Sequence, residues 1–120
     1  MMMPALAHSQ LLQRKVAAVG FDWEKAEDIL EKLNEEIYEL IKAETSREKT
    51  LEFGDILFVL VNLARRMGVD AEESLRVAND KFFKRFSYME KLCRERGLRF
   101  ESLSFDQQNA LWDEAKKDTE

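Results

Sequence analysis

The sequence predicts an all-α chain, a helical bundle of about five helices, and three observations predict it. Helix start and stop signals recur along the whole length. One proline and four glycines leave little for the turns of a β-sandwich. No segment carries the apolar–polar alternation of a half-buried strand.

The first helix is expected from about His8 to Val19, stopping at Gly20, a residue type that suits a left-handed C-terminal position. Residues 1–7 read as a flexible N-terminal segment. Asp22 is placed to cap the second helix, which runs to about Glu44. Thr45 and Glu48 form a T-x-x-E capping-box pattern that opens the third helix, which ends at Gly68. Asp70 and Glu73 repeat that logic for the fourth helix, which runs to about Arg96, before Gly97. Ser104 and Gln107 repeat it again for the fifth, ending among Lys116 and Lys117. Internal repeats and low-complexity segments are absent, and 1–120 reads as one domain with a single core.

Charge and composition narrow the function. A formal net charge of −5 does not advertise nucleic acid as a partner. No run of about 20 apolar residues occurs, so no membrane span is expected. Met1-Met2-Met3-Pro4 lacks the basic and apolar regions of a signal peptide. The single cysteine, Cys93, excludes an internal disulfide framework and falls on an apolar helical stripe, as a packed core thiol does. A reduced, cytoplasmic setting is the expectation.

The second helix shows an apolar stripe at Ala26, Ile29, Leu30, Leu33, Ile37, Leu40 and Ile41, the period of a helix with one buried face. The third differs: from Leu51 to Ala64 it is apolar on nearly every side. Such a helix must be covered all round, and a second subunit is expected to cover part of it; a central helix of a monomeric bundle is the alternative.

Glu36 and Glu39 are three apart on the second helix, and Glu52 and Asp55 are three apart on the third. Residues at i and i+3 lie roughly 60° apart around the axis, so each pair shares a face. The short connection makes the helices antiparallel neighbours, so two such pairs can converge. With the stripe centred near Leu33 and Ile37, Glu36 falls on its shoulder and Glu39 a little farther round, whereas Glu35 points away. Asp55 interrupts the most apolar stretch of the chain, with Asn62 two turns later on the same face, and a buried carboxylate has to be paired or coordinate a metal. Four clustered carboxylates, about −4 in charge, suit hard divalent cations; magnesium favours carboxylates together with substrate phosphates. The plain alternative is a solvated acidic face, with Asp55 paired to an arginine. A di-iron site fits less well, because the only histidine, His8, lies outside the cluster.

At these positions the chain resembles the MazG-type nucleoside triphosphate pyrophosphohydrolases. Their E-E-x-x-E and E-x-x-D signature is matched by Glu35-Glu36-Ile37-Tyr38-Glu39 and Glu52-Phe53-Gly54-Asp55. The similarity runs from Val19-Gly20-Phe21-Asp22-Trp23 through Leu57 to Arg65 and Ala78 to Phe86, and ends with Leu111 to Lys116. It is nearest to the catalytic C-terminal half of the two-domain members. The resemblance implies an all-α fold completed by dimerisation, as a homodimer or a dimer of dimers. It implies hydrolysis of a nucleoside triphosphate to monophosphate and pyrophosphate, in nucleotide-pool housekeeping. It also assigns metal binding to Glu36, Glu39, Glu52 and Asp55, with Mg²⁺ as the ion and Mn²⁺ as a substitute.

Lys81 and Arg85 present two cations one turn apart at the margin of the fourth helix's apolar stripe, Leu75, Ala78, Phe82, Phe86, Met89 and Cys93. They read as a phosphate clamp or as partners in surface salt bridges. The resemblance, which includes Asn79, favours the clamp. Trp112 reads as a core or interface anchor, or as a cover for the base; the resemblance favours a nucleotide contact for it, with Lys116 one turn on. Glu36, Glu39, Lys81 and Arg85 are accordingly the expected catalytic groups. Two other functions remain in play: a dUTP- or dCTP-type deoxynucleotide hydrolase of the same helical class, and a non-catalytic helical dimer that binds nucleotides or protein.

Overall fold

Thr45 shows how closely the helix boundaries follow local chemistry: its hydroxyl accepts the Glu48 N–H at 3.1 Å and opens a 21-residue helix. The computed structural model describes residues 2–120. Among them the order is α1 (Ala5–Ala18), α2 (Ala26–Lys42), α3 (Ser46–Arg66), α4 (Ala71–Arg96), a 3₁₀ turn (Phe100–Ser102) and α5 (Phe105–Asp118), with no strand. The all-α expectation is met. No helix among the described residues is long and apolar enough to cross a membrane.

The caps were mostly foreseen. Asp70 accepts the Glu73 N–H at 2.9 Å. Ser104 and Gln107 form the full reciprocal box, at 3.2 and 2.9 Å. The Thr45 box is half formed, because the Glu48 carboxylate accepts from the Glu44 N–H instead of from Thr45. Gly20, Gly68 and Gly97 all take positive φ beyond helix ends, where a Cβ would be strained.

Two boundaries differ from the expectation. Helix α1 starts at Ala5, right after Pro4, rather than at His8. Asp22 does not cap α2, whose N-cap is Lys25. Its carboxylate is taken by Arg65 Nη2 at 2.6 Å and Arg66 Nη1 at 3.3 Å. Two guanidinium groups outcompete a helix N-terminus for one carboxylate, since charge-assisted bonds are the stronger kind.

The chain divides into two compact units, one up to Ser74 and the other from Leu75 onward. In the first, α3 packs against both α2 and α1. Only Ala43, Glu44 and Thr45 separate α2 from α3, which forces the pair antiparallel. Helix α1 is pinned by amides rather than by apolar area alone. Gln10 donates to the Val69 carbonyl and accepts from the Ala71 N–H, each at 2.8 Å. Gln13 donates to the Phe58 carbonyl at 3.0 Å.

The apolar stripe of α2 is only partly enclosed: Ile29 is fully buried, while Leu30, Ile37 and Ile41 stay exposed. Helix α3 buries Ile56, Val59, Val61 and Asn62, whereas Leu51, Phe53, Leu57, Phe58 and Leu60 are open. In the second unit, Met89, Leu92 and Cys93 of α4 close on Leu111 and Ala115 of α5, with Phe86, Phe100 and Trp112 packed around them. Cys93 is thus a buried core thiol, as expected.

Candidate metal centre

Glu36, Glu52 and Asp55 each offer a carboxylate oxygen, and these oxygens lie within 4.8 Å of one another. The antiparallel α2–α3 turn produces this convergence, because it sets the last turns of α2 beside the first turns of α3. Burial within the cluster is graded. Glu36 is buried at 7% exposure, Glu52 is half-buried and Asp55 is exposed.

Asp55 was expected to be the costly buried carboxylate, and that expectation is corrected. The apolar residues flanking it, Phe53 and Leu57, are themselves uncovered, so Asp55 reaches solvent within this chain. The desolvation falls instead on Glu36, on the shoulder of the α2 stripe. The arginine pairing weighed for Asp55 is made by Asp22.

Glu36 has a cation of its own. Lys32, one turn earlier, places Nζ 2.9 Å from Glu36 Oε1 and 3.9 Å from Glu35. The Lys32 hydrogen bond holds the Glu36 carboxyl below its ordinary range despite burial, and Glu36 in turn raises Lys32. Glu52 moves the opposite way. A hydrogen bond shared with Glu36, then burial, then the charges of Glu36, Asp55 and Glu39 raise its pKa. Three carboxylates this close with one ammonium cannot all hold charge comfortably, so Glu52 keeps its proton more readily. A hard divalent cation relieves that conflict better than a proton does, and the all-oxygen donor set fits Mg²⁺ or Mn²⁺.

Glu39 is not among the three whose oxygens converge, although it lies near enough for its charge to act on Glu52. Glu35 is exposed and touches Lys32 only at the limit of an ion pair. Lys32 was missed in the sequence, yet its signal was present as the i, i+4 spacing to Glu36.

The basic and aromatic residues belong to the second unit. Lys81 lines a groove of about 260 Å³ with Val77, Asp80, Lys84 and Thr119. Lys84, which the sequence did not single out, is recognisable as i+3 from Lys81. Arg85 places its guanidinium carbon 5.4 Å from the Trp112 ring centroid, a cation–π contact, and its Nε has no hydrogen-bond partner. Trp112 also meets Phe82 at 5.7 Å and packs on the α4–α5 core. Its anchoring role is therefore present, with Arg85 on its face. Asn79 and Lys116 are exposed on α4 and α5.

Residues 8–82, which contain the whole acidic cluster and Lys81, match the model of a family described as phosphoribosyl-ATP pyrophosphohydrolase. The chain is 43% identical over 115 residues to a Thermotoga maritima protein named nucleoside triphosphate pyrophosphohydrolase/pyrophosphatase MazG, covering 96% of this chain and 45% of that one. It is 38% identical over 120 residues to the nucleoside triphosphate pyrophosphohydrolase of Escherichia coli strain K12, covering 96% of this chain and 46% of the relative. A 66-residue stretch is 48% identical to the uncharacterized protein YabN of Bacillus subtilis, covering 55% of this chain and 14% of that one. The chain thus spans a little under half the length of the first two relatives. It belongs to the phosphoribosyl-ATP pyrophosphohydrolase family, and within it to the MazG type.

Proposed function

We propose that this chain hydrolyses nucleoside triphosphates to monophosphate and pyrophosphate in a divalent-cation-dependent reaction, with Mg²⁺ as the ion and Mn²⁺ as a substitute. The observation that carries the reading is the convergence of Glu36, Glu52 and Asp55 oxygens within 4.8 Å. The names of the Thermotoga and Escherichia relatives support the reaction type.

Glu36, Glu52 and Asp55 would hold the cation, with Glu39 joining as a fourth ligand. When bound, the cation supplies neutralisation of triphosphate charge and a more acidic water. The chain's own residues do the rest. Glu36 is held ionised by Lys32, so it offers a ready oxygen ligand. Glu52, whose pKa is raised by its acidic neighbours, would bind the cation as the carboxylate. A carboxylate of the cluster would accept a proton from the attacking water. Lys81 and Arg85 are the proposed phosphate contacts, with Asn79 and Lys116 as further polar contacts and Trp112 as a stacking surface.

The reading extends to 1–120 as one catalytic domain, working as a homodimer or a dimer of dimers in the cytoplasm and clearing the nucleotide pool. The exposed apolar faces of α2 and α3 support self-association, since patches of this kind mark contact surfaces. The family description keeps phosphoribosyl-ATP as a second substrate, because the same type of phosphoanhydride bond is cleaved. The test is pyrophosphate release from the common ribo- and deoxyribonucleoside triphosphates and phosphoribosyl-ATP, with Mg²⁺ and with EDTA. Release from at least one substrate, abolished by EDTA, is expected. No release from any of them overturns the reading.

A further inference from the structure

Arg85 is half-buried, whereas Lys81 and Lys84 on the same helix are exposed. A guanidinium keeps its charge in a folded protein, so taking it partly out of water calls for a partner. Among the described residues Arg85 pairs with no carboxylate; Glu95, Glu114 and Glu101 are taken by Lys91, Arg96 and Arg99. Its partner is the indole of Trp112, whose ring centroid lies 5.4 Å from the guanidinium carbon. Of the aromatic side chains, tryptophan offers a cation the most favourable face.

The indole is itself fixed. It packs on the α4–α5 core and meets Phe82 at 5.7 Å, tilted by 43°. Phe82 stacks on Phe86 at 6.2 Å, and Phe86 meets Phe100 edge-on at 5.4 Å. A row of rings thus braces the surface against which Arg85 is held. On the arginine, Nε is enclosed without a hydrogen-bond partner, while Nη1 and Nη2 reach solvent. A cation held by a ring face keeps the donors in its own plane free, and a guanidinium offers them to phosphate oxygens as a fork.

We propose that Trp112 is a positioning residue for phosphate recognition, holding the Arg85 guanidinium so that its Nη donors are set for the triphosphate. This rests on the phosphate contact given to Arg85 above, and it assigns the indole a task that does not depend on the base. An arginine loose in solvent loses rotamer freedom when it binds; one already held by an indole loses less. Lys81, exposed one turn before it, brings charge without that preorganisation.

Tripolyphosphate carries the phosphates without a base, so stacking adds nothing to its binding. Its affinity in Mg²⁺ is read by titration calorimetry. Trp112→Leu should weaken it about fivefold or more. Arg85→Gln should weaken it at least as much, and adding Trp112→Leu to Arg85→Gln should cost nothing further, because the two side chains act as one. Trp112→Phe, which keeps a ring on the core, should retain most of the affinity. A second measurement needs no variant: in ¹H–¹⁵N spectra of the unaltered chain, tripolyphosphate should shift the Arg85 Nε–H and Trp112 indole signals together. Unchanged affinity in Trp112→Leu, additive losses in the double variant, a still indole signal, or no binding by the unaltered chain would each overturn the proposal. Pyrophosphate release from nucleotides stands apart from all of these. Binding that follows the expected pattern without release from any nucleotide removes the hydrolase reading and leaves the positioning role in place.

Discussion

Lys32 and Glu36 are joined by a 2.9 Å ion pair across one turn of α2, and through it the one buried carboxylate of the acidic cluster carries a cation from its own helix. Divalent binding therefore competes with an ammonium group already in place. Replacing Lys32 with Gln removes that competitor and leaves Glu36 buried beside Glu52 and Asp55 without compensation. A pair this open on the lysine side is worth less than about 1 kcal/mol. The metal-free variant should melt about 2–4 °C below the unaltered chain. Excess Mg²⁺ should raise its Tm by more than it raises the unaltered chain's. Melting curves in EDTA and in MgCl₂ decide the matter, and identical shifts for both proteins would contradict the competition.

Asp55 and Glu39 separate under substitution because only one of them has an oxygen in the convergent group. Asp55→Asn should lower Mg²⁺-dependent pyrophosphate release by more than about 100-fold, whereas Glu39→Gln should raise the half-saturating Mg²⁺ concentration about 10-fold. In EDTA, Asp55→Asn should melt no lower than the unaltered chain, since removing one of several crowded like charges relieves repulsion. Mg²⁺ titrations of activity alongside melting curves check both statements. Equal loss in the two variants would mean that Glu39 holds the cation as centrally as Asp55 does, against the graded set of ligands.

Much of this was legible in the sequence, and the misses share a cause. Capping signals at Thr45, Asp70 and Ser104 are local, so they are read without knowing the rest of the fold. The facing pairs on α2 and α3 were likewise legible, because a short turn between two helices fixes their direction. Asp22 was misread because its partners, Arg65 and Arg66, are more than forty residues away. The exposure of Asp55 is not legible in the sequence, because apolar neighbours along a helix do not ensure cover, and Phe53 and Leu57 are open in the single chain. Gln13 drew no attention for the same reason as Asp22, since its role depends on the Phe58 carbonyl of another helix.

Arg96 and Glu114 clasp α4 to α5 with two parallel bonds, Nη1 to Oε2 at 2.9 Å and Nη2 to Oε1 at 2.8 Å. The Arg96 hydrogen bonds hold the Glu114 carboxyl below its ordinary range. A depressed carboxyl stabilises the fold above the unfolded-state pKa of about 4.3, and that contribution disappears as pH falls through the folded value. The Tm deficit of Glu114→Gln should therefore be largest near neutral pH and close as the pH drops below about 4. Both groups are exposed, so added salt should shrink the deficit as well. A deficit that is constant with pH would mean the clasp acts through packing, not charge.

Phe53, Leu57 and Leu60 lie at i, i+4 and i+7 on α3, a single stripe, and all three are exposed. On α2, Leu30, Ile37 and Ile41 add further open apolar area, with Ile41 at 74% exposure. A helix apolar on nearly every side has to be covered, and a second copy of the same face is the economical cover, because an isologous contact satisfies both surfaces at once. The unaltered chain should then run at about twice or four times its 14.1 kDa mass in light scattering. Leu57→Glu should shift it to the monomer and lower the Tm. Each copy loses a buried leucine worth about 1.5–3 kcal/mol, and the charge enters the contact twice. A partner effect is separated from damage to the monomer by concentration: the unaltered chain's Tm should rise with protein concentration and the variant's should not. A 14.1 kDa species for the unaltered chain at micromolar concentration would remove the second copy from the account of α3.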